Sequence, residues 1–263
     1  MAGSGSRCRI RAAYRRRIEG QRVGARKCHR RFRLLEGHFV STEPGPIPVT
    51  VLVVAKAPVP GLAKTRLAAT VGEQAAADIA AAALLDTLDA VAATPVTRRV
   101  VAMTGDLDLA CRAGEIRDRL AAFTVIEQRG DDFADRLSNA HADAAADSGQ
   151  PVLQIGMDTP QVSIELLTDC ARHLLTVPCL LGMARDGGWW ILGLAHAATA
   201  ECLRDVPMSQ PDTGAVTLAA LRHTGVSVKL VEELHDVDTI DDIPLVGAAC
   251  RTSSRFAHVT RGV

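Results

Sequence analysis

Cationic side chains are concentrated in one short loop, Ala55-Lys-Ala-Pro-Val-Pro-Gly-Leu-Ala-Lys-Thr-Arg-Leu67. The loop follows an apolar run and carries Lys56, Lys64 and Arg66. A guanidinium fork, a mobile ammonium group and free backbone N–H groups are what a chain of phosphates requires. A solvated charged loop is the alternative interpretation. The segment is not a P-loop, because it lacks the glycine before the lysine and the earlier glycine of that motif, and it is not a G-x-G-x-x-G loop either.

A second candidate is Asp158, which follows the apolar run Val152-Leu-Gln-Ile-Gly156 and precedes Thr159 and Pro160. In an open α/β sheet, ligands bind beyond the carboxyl ends of the strands, and Asp158 is predicted to lie there. A carboxylate in that position can hold Mg²⁺ or Mn²⁺ against diphosphate oxygens. The alternative is that Asp158 caps the N-terminus of the next helix.

The segment Asp186-Gly187-Gly188 comes directly before a predicted strand that begins with Trp189 and Trp190. Glycines let a ligand approach the backbone closely, so the segment is a candidate substrate-binding turn. A plain β-turn explains the same residues equally well. The two tryptophans are interpreted either as core residues or as a stacking surface for a base or a sugar.

Four aspartates are packed into a short segment after the last predicted strand. Asp236 and Asp238 are candidates to complete a metal site. Asp241 and Asp242 fit the first turn of a helix capped at Asp238 or Thr239, where negative charge is favourable.

The elements that must position these residues alternate between strands and helices. Apolar β-branched runs indicate strands buried on both faces, and the helical periodicity between them predicts right-handed βαβ crossovers. Two closely spaced strands around Asp186 predict a mixed sheet. The predicted fold is therefore a three-layer α/β/α domain with a mixed, mainly parallel sheet. Strands are predicted at 49–55, 96–103, 123–127, 152–156, 179–183, 189–194 and 226–231, and helices at 72–93, 107–120, 133–146, 163–175 and 214–223.

Taken together, these segments resemble a bacterial family of GT-A-type glycosyltransferases without an assigned function, over about residues 51–245. The hallmarks of that family are an Ala-Lys-x-Pro-x-Pro-Gly-x-x-Lys-Thr-Arg-Leu loop, Gly-x-Asp-x-Pro, Asp-Gly-Gly and Asp-Val-Asp-Thr, and all four occur here in this order. Its wider relatives include the guanylyltransferases of phospholactate or phosphoenolpyruvate and of molybdenum cofactor. The resemblance implies the GT-A, Rossmann-like fold of the nucleotide-diphospho-sugar transferases.

The resemblance also implies roles for individual residues. The basic residues of the first loop would hold phosphates, and Asp158 would hold a divalent metal. Arg136 matches the arginine of a Gly-Asp-Leu-Gly-x-Arg segment, which reads Gly130-Asp-Asp-Phe-Ala-Asp-Arg136 here, without its second glycine. The predicted site comprises the nucleotide- and phosphate-binding residues Ala55, Lys56, Gly61, Lys64, Thr65, Arg66 and Arg136, the catalytic residues Asp158, Lys64 and Arg66, the substrate-binding residues Asp186, Gly187 and Gly188, and the metal ligands Asp158, Asp236 and Asp238.

The predicted activity is metal-dependent transfer from a nucleotide-diphosphate donor to a small-molecule acceptor, with Mg²⁺ or Mn²⁺ as the cofactor. Glycosyl transfer from a nucleotide sugar is the first interpretation, because the matching family carries that label. Nucleotidyl transfer from an NTP would use the same residues. A nucleotide-binding protein without turnover is a third alternative, and homodimerisation is left open.

Basic residues are concentrated at the start of the chain. The first 40 residues contain 12 Lys and Arg against Glu19 and Glu36, whereas the whole chain has a formal net charge of zero. Residues 1–46 are therefore predicted to be a disordered extension, 47–247 the transferase domain and 248–263 a frayed C-terminal tail. The extension is interpreted as a nucleic-acid or membrane-surface arm, as an Arg-rich transit peptide, or, the interpretation favoured here, as sequence upstream of the true start. Nucleic acid is not expected as a partner.

The seven cysteines are scattered and form no C-x-x-C pair, which argues against a zinc knuckle or a disulfide framework. They fit a reducing cytoplasm. No run of about 18 apolar residues occurs, so no transmembrane helix is expected.

Overall fold

A computed structural model describes residues 45–263. These residues form a seven-stranded sheet with the order β3-β2-β1-β4-β6-β5-β7. All neighbouring pairs are parallel except those of β6, which is antiparallel to both β4 and β5. The mixed, mainly parallel sheet that the sequence predicts is confirmed. The strands are β1 (Ile47–Lys56), β2 (Val96–Thr104), β3 (Thr124–Glu127), β4 (Val152–Gly156), β5 (Cys179–Ala184), β6 (Trp189–Leu194) and β7 (Val228–Leu234).

Helices cover both faces of the sheet, because β1 is apolar on both of its sides. Val51 and Val53 pack in one core with residues of α2 and α5, whereas Leu52 and Val54 pack in a second core with residues of α4. The three-layer prediction is thereby confirmed. The helices are α1 (Thr65–Val71), α2 (Glu73–Ala93), α3 (Ala113–Leu120), α4 (Phe133–Ala146), α5 (Ile164–Leu174), α6 (Thr213–His223), α7 (Asp242–Ala249) and α8 (Arg255–Val259), with 3-10 helices at Leu107–Leu109 and Ala197–Asp205.

The helix predicted over 107–120 is interrupted. A 3-10 turn ends at Leu109, and α3 begins only after Arg112, which adopts a left-handed backbone conformation with φ of 54°. The guanidinium group of Arg112 donates two hydrogen bonds to Asp78 of α2, at 2.7 and 3.0 Å. The interruption of the helix at Arg112 therefore coincides with an ion pair to Asp78, which the local sequence does not predict.

The frayed tail predicted after Gly247 is wrong, because α7 and α8 pack against the domain. Phe256 is completely buried. The carboxylate of Asp86 on α2 accepts hydrogen bonds from the backbone N–H groups of Arg255 and Phe256, at 3.1 and 2.8 Å. Arg255 also donates to Asp89 at 2.6 Å. The order of this segment comes from contacts with α2, more than 160 residues earlier in the chain.

The sheet has a topological switch point between β1 and β4, because β1 is followed in the chain by β2 on one side and paired with β4 on the other. The carboxyl ends of both strands open onto the same edge, where α/β sheets bind ligands. Residues 1–44 of the extension predicted at 1–46 lie outside the described residues. Between residues 45 and 263, no helix has the length and apolar character needed to cross a membrane.

Candidate active site

The loop after β1 is folded back on itself before α1 begins. Backbone N–H groups of Leu62 and Ala63 both donate to the carbonyl oxygen of Val59, and Gly61 has a φ of 77°. Lys64 directly precedes α1 in the left-handed region, with φ of 47° and ψ of 50°. A non-glycine residue in that region costs about 1 to 3 kcal/mol, and such strain is concentrated at functional sites.

Lys64 is the centre of an ion-pair cluster. Its Nζ lies 2.8 Å from Oδ2 of Asp158 and 3.0 Å from Oδ1 of Asp238, and its side chain is 9% exposed. Burial by itself lowers the pKa of an ammonium group, but the two carboxylates outweigh that effect, and the pKa of Lys64 is raised. Arg66, on the first turn of α1, adds a 3.3 Å contact from Nη1 to Oδ2 of Asp238.

Asp158 does not cap a helix, so that alternative is wrong. The next helix, α5, begins at Ile164, and its N-cap is Ser163, whose hydroxyl accepts from the Leu166 N–H at 3.1 Å. Oδ2 of Asp158 binds Lys64, whereas Oδ1 is buried and has no hydrogen-bond partner. A buried carboxylate oxygen without a partner is costly unless a ligand or cation occupies it.

Three aspartates from two separate loops form an acidic cluster. Asp186 comes from the β5–β6 turn, and Asp236 and Asp238 follow β7; one oxygen of each lies within 4.8 Å of the others. The pKa of Asp236 is raised to about 7, first by burial and then by repulsion from Asp186 and Asp238. The predicted pair Asp236 and Asp238 is thus brought together with Asp186, while Asp158 is joined to Asp238 through Lys64.

The loop that carries Asp238 is held by Asp242, in the first turn of α7. Oδ2 of Asp242 accepts hydrogen bonds from the Asp238 N–H at 3.0 Å and from the Thr239 N–H at 2.7 Å. Although burial opposes it, these hydrogen bonds lower the pKa of Asp242, so it remains an anion. The prediction that Asp242 lies in the first turn of a helix is confirmed. The predicted cap at Asp238 or Thr239 is wrong, because α7 begins at Asp242 and Asp241 is its N-cap rather than a residue of its first turn.

The Asp186-Gly187-Gly188 segment is a tight turn whose glycines have a packing role. Oδ1 of Asp186 accepts from the Gly188 N–H at 2.8 Å. Gly187 has a φ of 94°, and a Cβ there would lie 1.7 Å from the carbonyl oxygen of Pro211. The β-turn interpretation is therefore right for Gly187, while Asp186 also faces the acidic cluster.

The two tryptophans have different environments. Trp190 is 2% exposed, and its indole N–H donates to the Glu232 carbonyl oxygen at 2.8 Å, so it is a core residue. Trp189 is partly exposed and borders the cleft that contains the charged residues.

A cleft of about 600 Å³ runs along this edge of the sheet. All the predicted site residues border it except Gly61 and Gly187. Its charged lining consists of four cations, Lys56, Lys64, Arg66 and Arg136, and four carboxylates, Asp158, Asp186, Asp236 and Asp238. Residues that were not predicted to belong to the site also border it, among them Phe133, Gln154 and Met208. Their proximity could not be predicted, because α4, β4 and the loop before α6 are brought together only by the fold.

The sequence comparison locates a family match in the middle of the chain. Residues 87–210 match a family model described as "Uncharacterized protein conserved in bacteria (DUF2064)". The resemblance to a bacterial family without an assigned function is confirmed. The matched region contains Asp158, Asp186 and Arg136 but neither the loop around Lys64 nor Asp238. No curated protein matches the chain.

Solved structures share the fold. A proposed nucleotide-diphospho-sugar transferase from Desulfovibrio desulfuricans G20 has a TM-score of 0.71 at 24% identity, over 81% of this chain and 94% of its own. A cytidylyltransferase from Leptospira borgpetersenii serovar Hardjo-bovis has a TM-score of 0.52 at 14% identity, over 82% and 93%. The 4-diphosphocytidyl-2C-methyl-D-erythritol synthase from Anaerococcus prevotii DSM 20548 has a TM-score of 0.51 at 12% identity, over 76% and 95%. The chain has the nucleotide-diphospho-sugar transferase fold.

Proposed function

We propose that the protein is a metal-dependent transferase that uses a nucleotide-diphosphate donor. The observation that carries the proposal is the position of Lys64, which is buried between Asp158 and Asp238 at the carboxyl ends of β4 and β7. A strained backbone beside a cleft has no evident benefit for a lysine that only stabilises the fold. It does benefit a lysine whose ammonium group must be held in position towards phosphates and carboxylates.

The donor set fits a divalent cation. Carboxylate oxygens are the ligands that Mg²⁺ and Mn²⁺ prefer. Those of Asp186, Asp236 and Asp238 lie within 4.8 Å of one another, and this group does not include Asp158. Burial and, after it, repulsion from Asp186 and Asp238 raise the pKa of Asp236, and a bound cation would relieve that repulsion. Asp236 and Asp238 are proposed as metal ligands with Asp158, whose Oδ1 is free of partners, and Asp186 is a further candidate. When bound, the metal neutralises charge on diphosphate oxygens and activates the phosphorus or sugar centre.

The residues of the β1 loop are proposed to hold the phosphates. Lys64 and Arg66 both contact Asp238 and can stabilise the negative charge that develops on the leaving group. Lys56 lies in the same cleft, and its ammonium group donates to the Leu62 carbonyl oxygen at 3.1 Å, which holds the loop closed. Ala55, Gly61 and Thr65 supply backbone around the phosphate path.

Glycosyl transfer from a nucleotide sugar is the first candidate reaction. It is supported by the likeness to the Desulfovibrio protein, whose TM-score is 0.71. Nucleotidyl transfer from an NTP is the second candidate, supported by the shared fold with cytidylyltransferases at TM-scores of 0.52 and 0.51. Both reactions need the same cation, phosphate loop and acceptor space.

The donor can be identified by thermal unfolding with UDP-, GDP- and ADP-sugars and the four NTPs, each with Mg²⁺, Mn²⁺ or EDTA. A ligand at about 100 times its Kd stabilises the folded state by about 2.7 kcal/mol. We expect one class of nucleotide to raise the thermal midpoint of unfolding, and we expect EDTA to abolish this increase. Product analysis then separates the reactions, because glycosyl transfer releases a nucleotide and nucleotidyl transfer releases pyrophosphate. If no nucleotide raises the thermal midpoint, the proposal is contradicted.

The catalytic carboxylate is tested with Asp158→Asn, which we expect to lower kcat at least about 100-fold. Asp147→Asn is the matched control, because Asp147 is a 79% exposed carboxylate paired with Arg98 outside the cleft lining. An Asp158→Asn protein with full metal-dependent activity contradicts the mechanism. Asp186→Asn in the same assay decides whether this third carboxylate belongs to the metal site.

We also propose a cytoplasmic location. The described cysteines are all free thiols, and three of them, Cys170, Cys179 and Cys250, are buried. Buried reduced cysteines fit a reducing compartment. The proposed domain comprises residues 47–247, against which α8 packs.

A further inference from the structure

We propose that the part of the cleft next to α4 binds an anionic group, a carboxylate or a phosphate, on an acceptor with an apolar body. This proposal rests on the proposed transferase function, for which it names the acceptor class. It starts from Arg136, which reaches the cleft from α4 and forms no ion pair among residues 45–263.

The charge of Arg136 remains free although acidic residues are near it in the sequence. Asp143 on the same helix binds Arg129 at 2.7 and 2.9 Å, and Asp135 is paired with Arg204. Nε of Arg136 is buried without a partner, and its guanidinium carbon lies 5.8 Å from the centre of the Phe133 ring. With Asp135 and Asp143 already paired with other arginines and an aromatic ring beside it, the Arg136 guanidinium group is available to an external anion.

A second donor without a partner among the described residues borders the same cleft, on a side chain of β4 that contacts α4. Gln154 is completely buried, and its Oε1 lies 3.2 Å from Nδ1 of His141. Its Nε2 has no hydrogen-bond partner. Because His141 is neutral, its Nδ1–H can donate to the amide oxygen, which leaves the amide nitrogen as the free group. Two unsatisfied donors call for a ligand with acceptor oxygens rather than for a cation or an amine.

The walls around these donors are apolar. Val54 and Leu137 are buried, and Trp189, Met208 and Phe133 border the opening, Phe133 with 42% exposure. A second cavity of about 370 Å³ is bounded by the same Phe133 and Met208. An anion is held more firmly beside such walls than in water, and an acceptor whose body is apolar would bury them further.

The backbone supports the interpretation of this region as a binding surface. Ser209 has a φ of 59°, which is strained for a residue other than glycine, and it borders both cavities. Thr213 holds the segment by donating to the Pro207 carbonyl oxygen at 2.8 Å while accepting from the Gln210 N–H at 3.0 Å. The segment that carries Met208 is thus fixed in position before a ligand arrives.

The test is calorimetric titration of the full chain with phenylphosphate and with benzoate, and with benzyl alcohol as the neutral matched probe. We expect at least one of the two aromatic anions to bind at least about tenfold more tightly than benzyl alcohol. Comparing the affinities of phenylphosphate and benzoate shows whether the subsite prefers a phosphate or a carboxylate. Arg136→Gln should weaken the anion about tenfold or more, Gln154→Leu should weaken it less, and Arg136→Lys should restore part of the affinity. Arg98→Gln, at an arginine outside the cleft lining, should leave the binding of the anion unchanged, and Arg66→Gln tests whether the anion binds at the phosphate loop instead.

Three results would overturn the proposal: neither anion binds; Arg66→Gln abolishes binding while Arg136→Gln does not; or a saturating nucleotide with Mg²⁺ displaces the probe. In the last case Arg136 serves the nucleotide, as the family resemblance implies. Because metal-dependent nucleotide binding is measured separately on the same proteins, failure of this subsite is distinguishable from failure of the proposed function. A thermal midpoint within about 2 °C of the wild-type value establishes that each variant is folded.

Discussion

Gly187, in the β5–β6 turn, lies in close contact with the segment around Pro211 and Gly214. Its carbonyl oxygen accepts from the Gly214 N–H at 2.7 Å, and its Cα faces the Pro211 carbonyl oxygen so closely that no side chain fits. We predict that Gly187→Ala destabilises the protein by about 3 kcal/mol or more, through overpacking and a positive φ. Gly149→Ala is the control, because Gly149 also has a positive φ but has nothing within 4 Å. In urea unfolding, the control should lose about 1 to 2 kcal/mol of the free energy of unfolding. Equal losses in Gly187→Ala and Gly149→Ala would contradict the packing argument.

His141 makes stability depend on pH. Burial lowers its pKa from 6.5 to about 4, although the contact with Gln154 opposes the shift. Between these two values the unfolded chain binds the proton and the folded chain does not. Stability is therefore fully present above pH 6.5 and falls as the pH drops towards 4, by at most about 1.4 kcal/mol per pH unit.

The measurement is urea unfolding at pH 7, 6 and 5 for the wild type and His141→Asn. The difference between the two proteins isolates this residue from all other titrating groups. We expect the wild type to lose more stability than the variant on acidification. Parallel losses would show that His141 does not titrate in this window.

At the scale of elements, α8 packs against α2 through the buried Phe256 and through contacts of Arg255 with Asp86 and Asp89. Phe256 fills the small core between α2, α7 and α8, and Asp86 caps the α8 N-terminus through the N–H groups of Arg255 and Phe256. We predict that Phe256→Ala costs about 3 to 5 kcal/mol of stability. Val263→Ala, at a 48% exposed position, should change stability by less than about 0.5 kcal/mol.

The consequence for activity follows from the position of α7. This helix lies between the Asp236–Asp242 segment and α8, so loss of the α8 contact should loosen the acidic loop. We expect Phe256→Ala to weaken metal binding measured by calorimetry at 15 °C, where the variant is folded. Unchanged metal affinity in a destabilised protein would assign α8 to stability alone.

At the scale of the whole molecule, the described residues that border the cleft lie between Val54 and Asp238. We predict that a chain beginning at residue 45 has the same thermal midpoint and the same nucleotide-dependent stabilisation as the full chain, within about 2 °C. If residues 1–44 are a nucleic-acid arm, the full chain alone should bind DNA or RNA with an affinity that falls steeply with salt. A lower midpoint of the shortened chain would contradict the assignment of residues 1–46 as an extension.

Local sequence determined most of the elements. The ranges of α4, β4 and β6 agree with their predicted bounds, because continuous apolar runs and helical spacing are read over a few residues. Helix α1 was not predicted, because it begins at Thr65, inside the motif of residues 55–67 that was interpreted as a loop. A helix of seven residues, entered through a left-handed lysine, has too short a periodicity to be recognised in a single sequence.

The sequence by itself determined the α/β class, the alternation of strands and helices, and the four motifs whose residues nearly all border one cleft. Only the tertiary structure decided which charges meet. Asp186 joins Asp236 and Asp238 because β5 and β7 are parallel neighbours whose carboxyl ends lie at one edge, and Lys64 meets Asp158 because β1 and β4 are adjacent. For the same reason, Arg136 Nε and Gln154 Nε2 have no hydrogen-bond partner among the described residues. Their partners depend on distances between elements far apart in the chain, which local residue patterns do not specify.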